Sequence, residues 1–170
     1  MIGAVTPGAW STQAISINDD GDVTGVFQAA STGPAHGFVR RSNGDFEVFD
    51  GAPDASFTYG ASINKMGDVG GYFLDGGGLA HGFVRNRCGD ITVFDGPSGT
   101  YGLSINDCGD VAGYVQGTHG FVRCGNGDFT VFDAPHASQT SASGINDGGD
   151  VTGTFYDTSE NKNRAFVRCS

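Results

Sequence analysis

The chain contains one nine-residue pattern four times, and this repetition limits the fold more than any other feature. The pattern is Ile-Asn-x-x-Gly-Asp-Val-x-Gly, and its copies begin at Ile17, Ile63, Ile105 and Ile145. Successive copies are 46, 42 and 40 residues apart. A unit of this length is one supersecondary element, which buries its apolar face only against neighbouring units. The sequence therefore predicts a single domain of stacked repeats.

The composition predicts that these repeats are built from β-strands. The 170 residues include 30 glycines and only 2 methionines, and the segments between turns are rich in Val, Phe and Thr. Such residues favour strands and tight turns over helices. No apolar run reaches the roughly 18 to 20 residues that a membrane helix needs, so we expect no membrane insertion.

Two turn signals divide each repeat into four antiparallel strands. The first is the Asn-x-x-Gly of the pattern, where Gly supplies the positive φ of a hairpin turn. A loop of variable length then leads to His-Gly-Phe-Val-Arg, and a second turn leads to a strand ending in Phe-Asp. From the last Gly of the pattern to this His, or to Arg164 in repeat 4, there are 11, 10, 6 and 11 residues. The loops are therefore expected at one end of the unit and the tight turns at the other.

Four-stranded repeats of this length are typical of propeller blades. We predict a small all-β propeller of four four-stranded blades, with repeats at about 14–53, 60–97, 102–135 and 142–170 plus 1–7. The segment 1–5 aligns with the outer strand of the other repeats, so we expect it to complete the last blade and close the ring. A β-solenoid and half of a dimeric eight-bladed ring are the alternatives.

Several segments of the chain resemble the bacterial extracellular HAF repeat family, which is named for a His-Ala-Phe tripeptide. They are the turn Ile145-Asn146-Asp147-x-Gly149, the His-Gly-Phe tripeptides and the segment Phe-Thr-Val-Phe-Asp-Ala-Pro at 129–135. The tripeptide is His-Gly-Phe three times and Arg164-Ala165-Phe166 once. The resemblance implies an exported, propeller-like repeat protein, extracellular or periplasmic, although no signal-peptide pattern is visible. It implies no particular reaction.

The loop end of the predicted blades carries the candidate ligand-binding residues. A ring of polar groups is expected there from His36, His81, His119 and Arg164, with Asp50, Asp95 and Asp133 further out. Donors and carboxylates in this arrangement suit a polar ligand such as a sugar. The alternative is that each His is a structural strut, because it shares a strand face with the Phe two residues later.

Aromatic residues supply a second set of candidates. Tyr59 and Tyr101 are equivalent, each four residues before a repeat Ile, and Trp10 and Tyr156 are further aromatic candidates. Aromatic rings near a propeller face stack on sugar rings, so these side chains are candidate ligand platforms. The alternative is that they pack between blades.

The sequence predicts no cofactor. Calcium is a weaker alternative at the turns 18–22 and 146–150, but their Gly comes too early for a calcium loop and repeat 2 has Lys65-Met66 there. No nucleophile elbow, P-loop or dinucleotide motif is present. The net charge of −10 repels phosphate backbones, so nucleic acid is not an expected partner.

Two further predictions concern the turn end of the repeats. Of the four cysteines Cys88, Cys108, Cys124 and Cys169, the pair Cys108 and Cys124 is the favoured disulfide, because both lie at the same end of repeat 3. The arginines that follow Phe-Val lie near the Asp of the repeated pattern and are expected to form ion pairs between strands or between blades. The arginines are Arg40, Arg85, Arg123 and Arg168, and the carboxylates are Asp22, Asp68, Asp110 and Asp150.

These observations favour an extracellular binding module whose best ligand is a carbohydrate or another polar molecule. Two other classes remain open: a propeller hydrolase or lyase that uses the His-bearing face, and a self-assembling structural repeat protein. The protein is expected to be a monomer or a strand-exchanged homo-oligomer. A distinctive function is expected where the repeats disagree, at the loops before the His, at Arg164 and at the N-terminal strand.

Overall fold

The computed structural model describes residues 9–116 and 119–170, and within these ranges every regular element is a β-strand. The strands form four separate antiparallel sheets, in each of which the spatial order follows the chain order. The all-β, repeat-like prediction is therefore confirmed. Among these residues there is no helix that could cross a membrane.

Each repeat forms one sheet. Sheet 1 contains β1 (Ser11–Ile17), β2 (Val23–Gln28), β3 (His36–Arg40) and β4 (Phe46–Phe49). Sheet 2 contains β5 (Phe57–Ile63), β6 (Val69–Leu74), β7 (Ala80–Arg85) and β8 (Ile91–Phe94). Sheet 3 contains β9 (Thr100–Ile105), β10 (Val111–Val115), β11 (His119–Arg123) and β12 (Phe129–Phe132). Sheet 4 contains β13 (Ala137–Ile145), β14 (Val151–Asp157) and β15 (Lys162–Arg168).

Sheet 4 has three strands among the described residues, whereas each of the other sheets has four. The predicted outer strand at 1–5 lies outside the described residues. The described strands show no pairing between sheet 4 and sheet 1.

The Asn-x-x-Gly segment forms the first turn of each sheet, between its first and second strands. The turn glycines have positive φ, from 78° to 82°, in Gly21, Gly67, Gly109 and Gly149. The Asn side chain accepts a hydrogen bond from the backbone amide of the Asp four residues later. In sheet 1 the Asp22 amide donates to Asn18 Oδ1 at 2.9 Å. The repeated residues thus build the turn itself.

The Asp of the pattern joins the first turn of each sheet to its second turn. The second turn connects the third strand to the fourth, and in sheet 4 it is the segment that follows β15. Asp22 Oδ1 accepts a hydrogen bond from the Ser42 amide at 2.9 Å, and Asp22 Oδ2 accepts one from Arg41 at 3.0 Å. Partial burial opposes ionisation of Asp22, but these bonds outweigh it and lower its pKa. Equivalent backbone contacts join Asp68 to Arg87, Asp110 to Gly125 and Asp150 to Ser170.

The last Gly of the pattern lies beside a β-bulge in the first strand. In sheet 1 the register shifts between Ala14 and Ser16, opposite Gly25. A Cβ on Gly25 would lie 2.0 Å from the Gln13 carbonyl oxygen and 3.0 Å from the Phe38 ring. The same close approach recurs in all four sheets. Only Gly fits at this position, because any side chain would collide with the bulged strand and with the neighbouring ring.

The Gly of His-Gly-Phe has a different neighbour, the Phe that precedes Asp on the fourth strand. The ring of Phe94 covers Gly82, so that a Cβ on Gly82 would lie 2.3 Å from the ring. Gly37 under Phe49 and Gly120 under Phe132 repeat the arrangement. An aromatic ring on one strand thus packs directly on the backbone of the next.

Neighbouring sheets pack face to face through three apolar clusters. In each cluster a Val of the third strand and the repeat Ile of the next sheet take part, and both are buried or partly buried. The pairs are Val39 with Ile63, Val84 with Ile105 and Val122 with Ile145. These clusters form the core, because no single sheet has enough apolar surface to form one.

Arginines also join neighbouring sheets. The guanidinium of Arg85 lies 5.0 Å from the centre of the Phe49 ring in sheet 1 and pairs with Glu47. Arg123 over Phe94 and Arg168 over Phe132 repeat the stacking. Arg40 donates to the Arg41 carbonyl. Arg85 thus forms an ion pair between sheets, as expected, but with Glu47. The Asp carboxylates of the pattern bind the second turn of their own sheet, and Arg85, Arg123 and Arg168 stack on rings of the preceding sheet.

The first turns of the four sheets are linked by asparagines. Asn18 donates its side-chain amide to the Asn64 carbonyl, Asn64 donates to Asn106, and Asn106 donates to Asn146, each at 3.0 Å. All four turns line one open cavity of about 340 Å³. The first turns of sheets 1 and 4 therefore face the same space.

The predicted disulfide between Cys108 and Cys124 is not formed, and all four cysteines are free. Both residues lie in the turns of sheet 3, as predicted. Gly125 packs on the backbone of Cys108, since a Cβ on Gly125 would lie 2.5 Å from the Cys108 carbonyl oxygen.

The contact between Gly82 and Phe94 leads to a stability prediction. We expect Gly82→Ala to lower the free energy of unfolding by about 1 to 3 kcal/mol, because the new methyl group displaces the ring. Urea denaturation measures the change. Gly76→Ala is the matched control, since its Cβ would meet nothing nearer than 4.0 Å. Equal stabilities for the two variants would contradict the proposed contact.

Candidate functional site

Each of the three predicted histidines forms a hydrogen bond to the Asp of its own sheet. His36 Nδ1 lies 2.7 Å from Asp50, and His81 Nδ1 lies 2.7 Å from Asp95. His119 Nδ1 lies 2.8 Å from Asp133. The pairs join the third strand to the residue that follows the fourth strand. They fit the strut interpretation, because a side chain held in this way has one ring nitrogen already engaged.

His81 has a second carboxylate partner. Its Nε2 lies 3.5 Å from Asp75 Oδ2, and its ring stacks on Phe73 at 5.0 Å. Partial burial opposes protonation of His81, but the hydrogen bonds and charges of Asp95 and Asp75 outweigh it and raise its pKa above 6.5. Hydrogen bonds from the Leu79 amide and other groups, including His81, lower the pKa of Asp75.

The predicted aromatic residues Tyr59 and Tyr101 belong to a continuous row of rings. Tyr59 stacks on Tyr72 at 5.2 Å within sheet 2, and Tyr101 stacks on Tyr114 at 4.7 Å within sheet 3. Tyr72 meets Tyr101 edge to face at 4.9 Å, which joins the two sheets. Burial and the neighbouring tyrosines raise the pKa of Tyr72 to about 12. Its hydroxyl is therefore protonated at neutral pH.

This row ends at a cavity between sheets 3 and 4. The cavity has a volume of about 410 Å³ and is open to solvent. Its lining combines aromatic, hydroxyl and amide side chains and includes no residue that is charged at neutral pH. The lining residues are Tyr114, Val115, Gln139, Thr140, Ser141, Thr154, Phe155, Tyr156 and Asn163.

The cavity exists because repeat 4 differs from repeats 2 and 3 at two positions. Residue 141 is equivalent to Tyr59 and Tyr101, and it is Ser. Thr154 is its register partner, in the place that Tyr72 and Tyr114 take in the other sheets. Between sheets 2 and 3 the space is filled by Tyr101 against Tyr72, whereas between sheets 3 and 4 Tyr114 and the small Ser141 both line the cavity. Two tyrosines are thus replaced by the smaller Ser141 and Thr154, which do not fill the space.

The remaining predicted residues lie apart from this cavity or at its margin. Trp10 is exposed at the start of sheet 1, and its backbone amide donates to the Gln28 carbonyl. Arg164 pairs with Glu160 on the loop between β14 and β15. Tyr156 does line the cavity, as a ligand platform would, and its hydroxyl donates to Asn161. The His and Asp pairs are not among the lining residues.

Sequence reasoning missed most of the cavity. The sequence analysis did not predict Gln139, Thr154 or Asn163. The sequence feature that indicates the cavity is that repeat 4 lacks the tyrosine pairs of repeats 2 and 3. Within residues 9–116 and 119–170, no group of three or more His, Cys, Asp or Glu side chains is arranged to hold a metal ion.

No family model matches this chain, and no curated protein is a significant match to it.

The two carboxylate partners of His81, Asp75 and Asp95, lead to a prediction about how stability depends on pH. Because the pKa of His81 is raised in the folded protein, its contribution is fully present below the unfolded value near 6.5 and is lost as pH rises through the folded value. We therefore expect His81→Asn to remove part of the fall in the free energy of unfolding above pH 6.5.

Urea titrations between pH 5.5 and 8.5 measure this slope. Asp75→Asn keeps the imidazole and removes one carboxylate, so it should reduce the slope by less than His81→Asn does. A slope that His81→Asn leaves unchanged would show that another group causes the pH dependence.

Proposed function

We propose that this protein is a carbohydrate-binding module whose ligand occupies the cavity between sheets 3 and 4. The observation that carries the proposal is the uncharged, aromatic and hydroxyl-rich lining of this cavity. A sugar presents apolar C–H faces and hydroxyl edges at the same time. Aromatic rings suit the first surface, and amide and hydroxyl groups suit the second.

The side chains that line the cavity fall into two groups, one suited to the apolar faces of a sugar and one suited to its hydroxyl groups. Tyr114 and Tyr156 supply the tyrosine side chains of the lining, Tyr114 from sheet 3 and Tyr156 from sheet 4. Gln139 and Asn163 each carry two donors and an acceptor, which is the capacity needed to bind neighbouring sugar hydroxyls. Burial raises the pKa of Tyr114, so its hydroxyl donates and accepts as a neutral group.

The uncharged lining also favours a neutral saccharide over an anionic ligand. Recognition of phosphate or carboxylate groups generally uses Arg or Lys, and neither lines this cavity. The net charge of −10 would further repel an anion. Neutral sugars are therefore the preferred ligand class within the proposal.

The proposal includes the arrangement and the location predicted from the sequence. The four sheets would be the blades of a small propeller, which the common cavity of the four first turns supports. The resemblance to the HAF repeat family supports an extracellular or periplasmic location. The cavity would then lie at the loop end of the propeller, where ligand-binding residues are generally found.

A glycan array with the whole chain tests the function. We expect binding to a group of related neutral glycans, and calorimetry should reproduce the strongest interaction in solution. An array without binding, or binding confined to anionic glycans, would contradict the proposal.

Ser141→Tyr tests the site, because it places in repeat 4 the tyrosine that repeats 2 and 3 already carry. We expect the new ring to fill the cavity and to weaken binding about tenfold or more, without loss of thermal stability. Val26→Tyr is the control, because it places a tyrosine on sheet 1 at the position that Tyr72 and Tyr114 take in sheets 2 and 3, and Val26 is not among the lining residues. It should leave binding unchanged. Equal affinities of the two variants would exclude the cavity as the binding site.

A further inference from the structure

A second cavity lies between sheets 3 and 4, beside their turns, whereas the cavity described above lies where the tyrosine row ends. It has a volume of about 310 Å³, which is comparable to that of small-molecule sites, and it is open to solvent. Its lining carries both signs of charge, because Arg168 supplies a guanidinium and Asp110 and Asp147 supply carboxylates. We call it the turn-end cavity.

Between sheets 1 and 2, the equivalent positions carry charged side chains of the protein itself that reach across the interface. Arg41 binds Asp22 of its own sheet at 3.0 Å and the Arg87 carbonyl of sheet 2 at 3.1 Å. Arg85 of sheet 2 pairs in the other direction, with Glu47 of sheet 1. The carboxylate of Asp22 and the guanidinium of Arg85 therefore both have partners of opposite charge.

Arg168 stands in sheet 4 where Arg85 stands in sheet 2, but it lacks the carboxylate partner. Its guanidinium lies 5.0 Å from the centre of the Phe132 ring, as that of Arg85 does from its own ring partner. The place of Glu47 is taken by Thr130, which pairs in register with the third-strand Val of its sheet as Glu47 does. In the part of the chain that the structure describes, no carboxylate forms an ion pair with Arg168. The ring holds the guanidinium by its face, so its N–H groups are available to a planar, bidentate acceptor.

Asp110 stands in sheet 3 where Asp22 stands in sheet 1, but it lacks the arginine partner. Both carboxylates accept a hydrogen bond from a backbone amide of the second turn, which lies 2.8 Å from Asp110 Oδ1. The place of Arg41 is taken by Cys124, whose side chain is short and carries no positive charge. Asp147 adds a further carboxylate to the lining. This side of the cavity therefore suits a cationic group of a ligand.

The interface between sheets 2 and 3 has larger residues at two of these positions. Asn86 and Cys108 stand where the turn-end cavity has Cys124 and Gly148. Among the described residues, a Cβ on Gly148 would have only the Asn146 side chain within 4 Å, so the space at this position is open. Small residues thus occur together with the two charged groups that lack their partners.

We propose that the turn-end cavity binds a free amino acid, whose carboxylate pairs with Arg168 and whose ammonium group pairs with Asp110 and Asp147. The ligand supplies the two charges that Glu47 and Arg41 supply between sheets 1 and 2. The cavity is separate from the carbohydrate cavity, and the proposal does not depend on carbohydrate binding.

Two further properties of the molecule favour a zwitterion with an apolar side chain. The net charge of −10 repels an anion, whereas it does not repel a ligand whose own net charge is zero. Val122 and Ile145 form an apolar part of the lining, next to the core between sheets 3 and 4. An apolar side chain placed there is removed from water. Amino acids with aliphatic side chains are therefore the expected ligands.

Calorimetry of the whole chain with the free L-amino acids tests the ligand class. We expect amino acids with aliphatic side chains to bind at a single site. The amide of the strongest binder lacks the carboxylate, and the corresponding carboxylic acid without the amino group lacks the ammonium group. Each should bind about tenfold more weakly or worse, because each leaves one charge of the cavity without a partner. Absence of amino-acid binding, or equal binding of the amide, would overturn the proposal.

Thr130→Glu tests the site, because it gives sheet 3 the carboxylate that Glu47 provides in sheet 1. We expect the new Glu to pair with Arg168, to displace the ligand carboxylate and to weaken binding about tenfold or more, without loss of thermal stability. Thr92→Glu is the matched control. It makes the same change on the strand of sheet 2 on which Arg123 stacks, away from the cavity, and should leave binding unchanged. Equal affinities of the two Glu variants would overturn the proposal.

Cys124→Arg provides a second variant that acts on the other end of the cavity. It gives sheet 3 the arginine that Arg41 provides in sheet 1, and the new guanidinium should pair with Asp110 as Arg41 pairs with Asp22. We expect it to occupy the place of the ligand ammonium group and to weaken binding about tenfold or more. An unchanged affinity for the amino acid in this variant would also overturn the proposal.

Discussion

The contact between consecutive sheets is the constraint on which the rest of the structure depends. A sheet of four short strands has no core of its own, so its stability comes from the faces it shares with its neighbours. The sheets approach closely enough that a Cβ on Gly60 would lie 2.3 Å from the Thr24 hydroxyl. One on Gly102 would lie 2.7 Å from the Gly71 carbonyl. The small residues of the first strands are therefore a condition of the packing.

The repeated residues are largely accounted for by this packing. The Asn forms the first turn and links it to the next sheet, and the Asp joins the two turns. The glycines make room for a bulge or a ring, the arginines of sheets 2, 3 and 4 stack on the preceding sheet, and the histidines bind a carboxylate of their own sheet. What remains for a specific function is the part of the molecule where the repeats differ, and the cavity at Ser141 and Thr154 is such a place.

The local structure could be predicted from the sequence because its causes are local. The Asn-x-x-Gly turns, the third strand and the loop and turn ends follow from residues that are close together in the chain. The ring partners of Arg85 and Arg123 could not be predicted, because spacing along the chain does not indicate which aromatic side chain of the preceding sheet lies under an arginine.

The candidate site was predicted only in part, for a related reason. Tyr156, an aromatic candidate, lines the cavity, whereas Tyr59 and Tyr101 pack in the row of rings beside it. The cavity itself depends on a side chain that is missing between two sheets, and Ser141 acquires its significance only beside Tyr114. Since these residues come from strands that are separate in the chain, only the packed structure brings them together.

The central claim is that ligand binding resides where repeat 4 departs from the others and not on the repeated His and Asp pairs. Two-dimensional NMR of the whole chain, titrated with a neutral oligosaccharide that it binds, tests this claim most directly. The account predicts chemical-shift changes at Tyr114, Ser141 and Asn163, with the His36 and His81 resonances unchanged. Changes centred on the His and Asp pairs, with the cavity unaffected, would contradict it.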